Sequence, residues 1–213
     1  MIEINEAACT ACGACVQKCP KQCIELHPDI NGFLYPQIQV AECVNCGLCE
    51  KVCPIADKQS LLCNQTAYAC VNKDDLMLKQ ETSGGVFGTI AKYFLDNGGV
   101  VYGCAYVGHL QATHIRVDNK ELLTELFGSK YVQSNTCNTF RECEKDLKDN
   151  KLVFHSAVFH RGSSDRNCEI LLFNLRKNCS RIFGTEKQIV FCDIHSINMI
   201  QEEKKITESI LKG

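Results

Sequence analysis

Residues 9–20 read CTACGACVQKCP, and residues 43–54 read CVNCGLCEKVCP. The offset between them is 34 residues throughout: Cys9/Cys43, Cys12/Cys46, Gly13/Gly47, Cys15/Cys49, Cys19/Cys53 and Pro20/Pro54. A repeat that keeps four cysteines, a glycine and a proline in step marks a duplicated structural unit. Between the copies, "CIELHPDINGFLYPQIQV" (23–40) reads as two short strands around the turn "PDING".

The spacing C-x2-C-x2-C-x3-C-P is the bacterial ferredoxin pattern for 4Fe-4S clusters. Three thiolates from one tight loop can grip three irons of a cube. The small residues between them, Ala11, Gly13, Ala14 and Gly47 with Asn45, let backbone N–H groups approach the sulfurs. Proline after the fourth cysteine fixes φ and turns the chain away. In two-cluster ferredoxins the fourth cysteine of each run ligates the other cluster. The expected ligand sets are therefore Cys9, Cys12, Cys15 and Cys53 for one cluster, and Cys43, Cys46, Cys49 and Cys19 for the second. Zinc or disulfides are the alternatives. Zinc sites usually show paired C-x2-C knuckles or mixed Cys and His, which two identical runs ending in Cys-Pro do not resemble.

The chain has 213 residues, 17 of them cysteine, and a formal net charge of −2. That charge makes no case for nucleic acid or an anionic membrane as partner. Residues 1–60 have an acidic excess and 151–213 a basic one. No signal peptide is visible at the N-terminus, and no apolar run is long enough to span a membrane. The cysteines are thus expected in a reducing cytoplasm, where dense cysteine usage means metal or redox chemistry. Cys23, Cys63, Cys70, Cys104, Cys137, Cys143, Cys168, Cys179 and Cys192 show no ligand spacing and read as structural. Cys23, four residues past Cys19, is expected beside a cluster without binding it. His109, His114, His155 and His160 show no metal or catalytic spacing and read as ordinary surface or core residues. Arg176, Lys177, Arg181 and Lys187 read as a solvated face.

Beyond residue 60 the pattern changes. A strand is expected at 66–72 and a helix at 83–99, with apolar residues at 86, 87, 90, 91, 94 and 95. Strands follow at 100–107 and 112–118, helices at 119–128 and 138–150, and a strand at 151–159. A β-like run, "QIVFCDI", and a polar helical end close the chain. Strands alternating with helices argue for an α/β domain. The fold expected is α+β, with a two-cluster ferredoxin-like domain (1–60), an incomplete α/β domain (61–160) and a divergent tail (161–213).

"SGGVFGTIAKYFLDNGGVVYGCAYV" (83–107), "HIRV" (114–117) and "LFGSKYVQS" (126–134) resemble the N-terminal domain of the coenzyme F-420 hydrogenase/dehydrogenase beta-subunit family. Bacterial members often carry a dicluster ferredoxin domain in front. The resemblance covers about residues 1–155. It implies an iron–sulfur flavoprotein oxidoreductase, in which clusters feed single electrons to FAD, and the flavin exchanges hydride with a deazaflavin or another acceptor. It also implies flavin contacts at Ser83, Gly84 and Gly85, and at Ser129, Lys130 and Tyr131. The first trio opens a helix whose free N–H groups suit a pyrophosphate. An ordinary N-cap at Ser83 and a surface lysine are the simpler alternatives. After "KLVF" (151–154) the family carries a Gly-Thr-Pro-Cys-Gln-type turn, where this chain reads "HSAVFHRGSSDRNC". The expected alternatives to an enzyme are a pure electron carrier docking to a redox partner protein, or an inactive truncated family member.

Overall fold

The computed structural model describes residues 2–4, 9–53, 55–56, 71–81, 84–130, 132–156 and, for the backbone, 189–192. Among these, the first cysteine loop runs into a short helix α1 (Ala14–Lys18) and the second into its counterpart α2 (Leu48–Val52). The two loops match in backbone geometry. Ala11 and Asn45 both have φ 51°, and Gly13 and Gly47 both have φ 74°. Both helices stop at an extended cysteine, Cys19 or Cys53. Left-handed φ at the N-cap is where glycine is nearly free of penalty.

Strands β1 (Ile24–Pro28) and β2 (Leu34–Ile38) pair antiparallel, from Ile24 opposite Ile38 to Pro28 opposite Leu34. Asp29 organises their turn: its carboxylate accepts from the N–H groups of Asn31 at 2.9 Å and Phe33 at 2.8 Å.

The second segment contains α3 (Asp75–Gln80), α4 (Val86–Asp96), β3 (Val100–Val107), β4 (Gln111–Val117), α5 (Thr139–Lys148), β5 (Val153–Ser156) and β6 (Ile189–Cys192). The strand order is β4-β3-β5-β6, with β4 antiparallel to β3 and the other neighbours parallel. Alternation along β3 sends its side chains to two cores. Val101 and Ala105 join Ile90, Ala91, Phe94 and Leu95 of α4, with Val117 and Phe154. Val100 and Tyr102 join Phe140, Cys143 and Leu147 of α5. The same second core includes Cys12, Ala14 and Val52, with Cys15 packed against it. The cysteine segment is thus built onto the α5 face of the sheet.

Several expectations are corrected. The helix expected at 119–128 is only a 3-10 turn, Leu123–Leu126. Its buried residues, Leu123 and Leu126, are three apart, which suits three residues per turn. The Asn119 side chain takes the Leu122 N–H, and extended Phe127 ends the turn. Of the strand expected at 66–72, residues 66–70 lie outside the described ones, and Val71 and Asn72 are not in a strand. The helix expected from Ser83 begins at Val86, with Gly85 rather than Ser83 as its N-cap. Helix α3 was not anticipated. Its signal was Asp74, whose carboxylate caps Leu76 and Met77 N–H.

Candidate metal centre

Cys9, Cys12 and Cys15 line one cavity of about 160 Å³, and the fourth thiol there is Cys53, from the other copy of the repeat. Cys43, Cys46 and Cys49 line a second, tighter cavity of about 20 Å³ together with Cys19. The eight cysteines of the repeat therefore gather as two fours, each made of three from one loop and one from the other.

Each loop supplies the surroundings of its sulfurs. Ala11, held at positive φ, points its N–H at Cys9 Sγ at 3.4 Å. Burial pushes the Cys12 thiol up to about 11, helped by the negative charge of Cys53 and Cys9 as thiolates. Cys15 is pushed up by burial and by Cys12, Cys9 and Cys53 in turn. Four thiolates in one buried cavity repel one another, so the set calls for cationic charge among them. Cys19 differs. Burial opposes its ionisation, but hydrogen bonds from Cys23, Lys21 and Gln22 outweigh it and hold the thiol below the ordinary value.

Among the described residues, no three His, Cys, Asp or Glu side chains converge tightly enough to hold a single metal ion. The donor set, four thiols of the repeat at each of two cavities, fits a 4Fe-4S cluster at each.

Residues 8–56 match the 4Fe-4S dicluster domain. The N-terminal part of the chain is such a domain, and a dicluster domain carries two 4Fe-4S clusters and an electron-transfer role. No curated protein matches the chain. Among the described residues, no helix is long and apolar enough to cross a membrane.

Cys23 is a fifth thiol at the second cavity. It is 1% exposed, lines that cavity and lies 3.5 Å from Cys19 Sγ. Burial, with Cys19 and Cys43 beside it, raises it to about 11. Cys104 is half-buried in β3, and Cys143 is fully buried in the α5 core.

Sequence reasoning missed the residues that lock this domain to the second segment. Gln17, buried on α1, donates through Nε2 to Thr136 Oγ1 at 3.1 Å and accepts from Phe140 N–H at 2.9 Å. Thr136 Oγ1 donates to the Cys12 carbonyl at 3.0 Å. Arg141 donates to the carbonyls of Gln17 and Cys19. The Gln133 amide pairs with both backbone groups of Leu34 on β2. A signal for Gln17 existed: it replaces the lysine of the other copy, Lys51, inside an otherwise matched repeat.

Of the residues expected to hold a flavin, Ser83 and Tyr131 lie outside the described ones. Gly84 and Gly85 precede α4, and their carbonyls accept from Asn72 N–H at 2.7 Å and Asn72 Nδ2 at 3.3 Å. In the first turn of α4 the Gly88 N–H donates to Glu81 Oε2 at 2.9 Å. A Cβ on Gly88 would lie 1.9 Å from the other Glu81 oxygen, so the glycine makes room for this carboxylate. Burial raises Glu81 above the usual carboxylate range, against the Gly88 hydrogen bond. Lys130 Nζ, following Ser129, donates to the Phe127 carbonyl at 2.7 Å and the Glu125 carbonyl at 3.3 Å. It caps the end of the 3-10 turn.

Proposed function

We propose that this chain is an iron–sulfur electron-transfer protein holding one 4Fe-4S cluster through Cys9, Cys12, Cys15 and Cys53 and another through Cys43, Cys46, Cys49 and Cys19. The observation that carries it is the crossed gathering of these thiols around two separate cavities. When bound, a 4Fe-4S cluster supplies reversible one-electron chemistry. The chain's own part is to ligate, to aim backbone N–H groups at sulfur and to exclude water. Cys12 and Cys15 pack against the shared core, while Cys46 is exposed. One site thus faces the second segment and the other faces outward, toward a redox partner.

The resemblance of residues 83–134 supports a finer reading: an iron–sulfur flavoprotein oxidoreductase, with FAD near Ser83, Gly84, Gly85, Ser129, Lys130 and Tyr131, and a deazaflavin or other acceptor beyond it. A specific observation favours the alternative, a carrier that hands electrons to a partner protein. The Glu81 carboxylate already accepts from the Gly88 N–H in the first turn of α4, and a pyrophosphate at that helix start would meet like charge.

Anaerobic reconstitution tests both levels. The cluster reading expects about eight iron and eight acid-labile sulfide per chain; stoichiometric zinc without a brown chromophore would sink it. A flavin spectrum that survives desalting supports the flavoprotein, and clusters with reversible redox chemistry but no flavin support the carrier.

A further inference from the structure

Helix α1 joins the two ligand sets. Cys15 lies on it and lines the first cavity, and Cys19 is its C-cap and lines the second. A helix C-terminus leaves carbonyl oxygens without intrahelical donors and carries partial negative charge. Arg141 of α5 answers both. Its Nε donates to the Gln17 carbonyl at 2.5 Å and its Nη2 to the Cys19 carbonyl at 3.3 Å. The planar guanidinium can serve two such acceptors at once. The exchange is reciprocal, because Gln17 of α1 accepts from the Phe140 N–H, one of the donors left over in the first turn of α5.

Helix α2 has no such partner among the described residues. Among the described residues, no side chain donates to the carbonyl of Lys51 or of Cys53. The two loops agree in cysteine spacing and in backbone angles, yet among the described residues it is the α1 end alone that receives a cation from the second segment. The Cys19 carbonyl is a few bonds from the Cys19 sulfur, so that cation stands close to whatever the sulfur binds.

We propose that Arg141 is a positioning residue that raises the reduction potential of the cluster held through Cys19 relative to that of the cluster held through Cys53. This rests on the cluster reading above. One-electron reduction makes a cluster more negative by one charge. A nearby fixed cation favours that reduced form, and local charge is a recognised control of cluster potential. The second segment thereby sets apart two sites that the repeat alone would make alike.

The test is a potentiometric titration of the reconstituted full chain, poised with dithionite and mediators and followed by electron paramagnetic resonance. Arg141→Gln should lower one of the two midpoints and leave the other in place. Arg141→Lys, which keeps the charge, should retain most of the wild-type value. Lys145→Gln, exposed on the same helix, should change neither. In the wild type, raising the salt should narrow the gap between the midpoints, because exposed charge is screened. That measurement stands even if Arg141→Gln does not load clusters. The proposal is overturned by an Arg141→Gln protein with two clusters at wild-type midpoints, by an Arg141→Lys shift as large as that of Arg141→Gln, or by a salt-independent gap. A wild-type chain that binds no iron would instead defeat the cluster reading itself, before any variant is compared.

Discussion

At the scale of single residues, Gly13 and Gly47 separate what the repeat demands from what the second segment demands. Both sit at φ 74°, where any other L-residue costs about 1–2 kcal/mol. A Cβ on Gly47 would meet nothing within 4 Å, whereas one on Gly13 would lie 2.7 Å from Thr136 Oγ1. That hydroxyl is committed, since it donates to the Cys12 carbonyl and accepts from Gln17. Gly47→Ala should therefore cost roughly the backbone strain alone, about 1–2 kcal/mol. Gly13→Ala should cost clearly more, because Thr136 must also give up its place. Urea unfolding of both iron-loaded variants checks this, and equal losses would contradict it. The same residues show how far the sequence could be read. Eight cysteines and two glycines in step were legible, because each acts within its own loop. Thr136 and Arg141 were not, since they reach Cys12, Gln17 and Cys19 across more than a hundred positions, and nothing local in the chain announces such a meeting.

At the scale of elements, α5 is tied to the sheet by one carboxylate. Asp146 accepts from Tyr102 OH at 2.6 Å, Arg116 Nε at 2.7 Å and Lys151 Nζ at 2.9 Å. Burial opposes its charge, but the hydrogen bonds from Arg116, Tyr102 and Lys151 outweigh it and bring the group down to about 2. Burial and the same carboxylate push the Tyr102 hydroxyl up. Removing a buried acceptor whose cationic partners keep contact with water, as Arg116 and Lys151 do, typically costs about 1–3 kcal/mol. Asp146→Asn should lose roughly that much stability, with β4 and α5 loosened together, as hydrogen exchange at Arg116 and Leu147 would report. A loss under about 1 kcal/mol would place Asp146 with ordinary surface pairs. Helix α5 and strands β3 and β4 were readable from their periodicity, but this knot was not. The turn at 123–126 misled for a different reason: leucines three and four apart fit both an α-helix and a 3-10 turn, and only Asn119 and the extended Phe127 decide between them.

At the scale of the whole molecule, the cysteine segment and the second segment share a core, and two histidines lie within reach of it. His155 stacks with Tyr102 at 5.4 Å, Phe140 at 5.6 Å and His114 at 5.8 Å between ring centroids. Both read in the sequence as ordinary histidines; both are buried, at 0% and 4% exposure. Burial lowers His155 to about 3, with His114 adding to the effect, and lowers His114 to about 4 despite a hydrogen bond to the Ser156 carbonyl. The folded state keeps both rings neutral, while the unfolded chain protonates them near pH 6.5. Above that pH neither state binds the proton and the histidines do not affect stability. As the pH falls from about 6.5 toward 4 the unfolded state binds more protons, so stability must fall, by up to ~1.4 kcal/mol per pH unit for each group. Asp146 acts in a separate window, since its contribution is complete above its ordinary value of 3.8 and is lost only as the pH falls through about 2. Urea unfolding of the iron-loaded protein between pH 7.5 and 5, followed by circular dichroism, covers the histidine window; the ligand thiols freed on unfolding also take up protons there, so the histidine share is read as the difference between wild type and variant. His155→Phe keeps an aromatic ring in the stack without a titrating group, and should flatten the decline in that range. An unchanged slope in His155→Phe, or a wild-type stability that does not vary between pH 7.5 and 5, would mean that these rings do not link the shared core to pH.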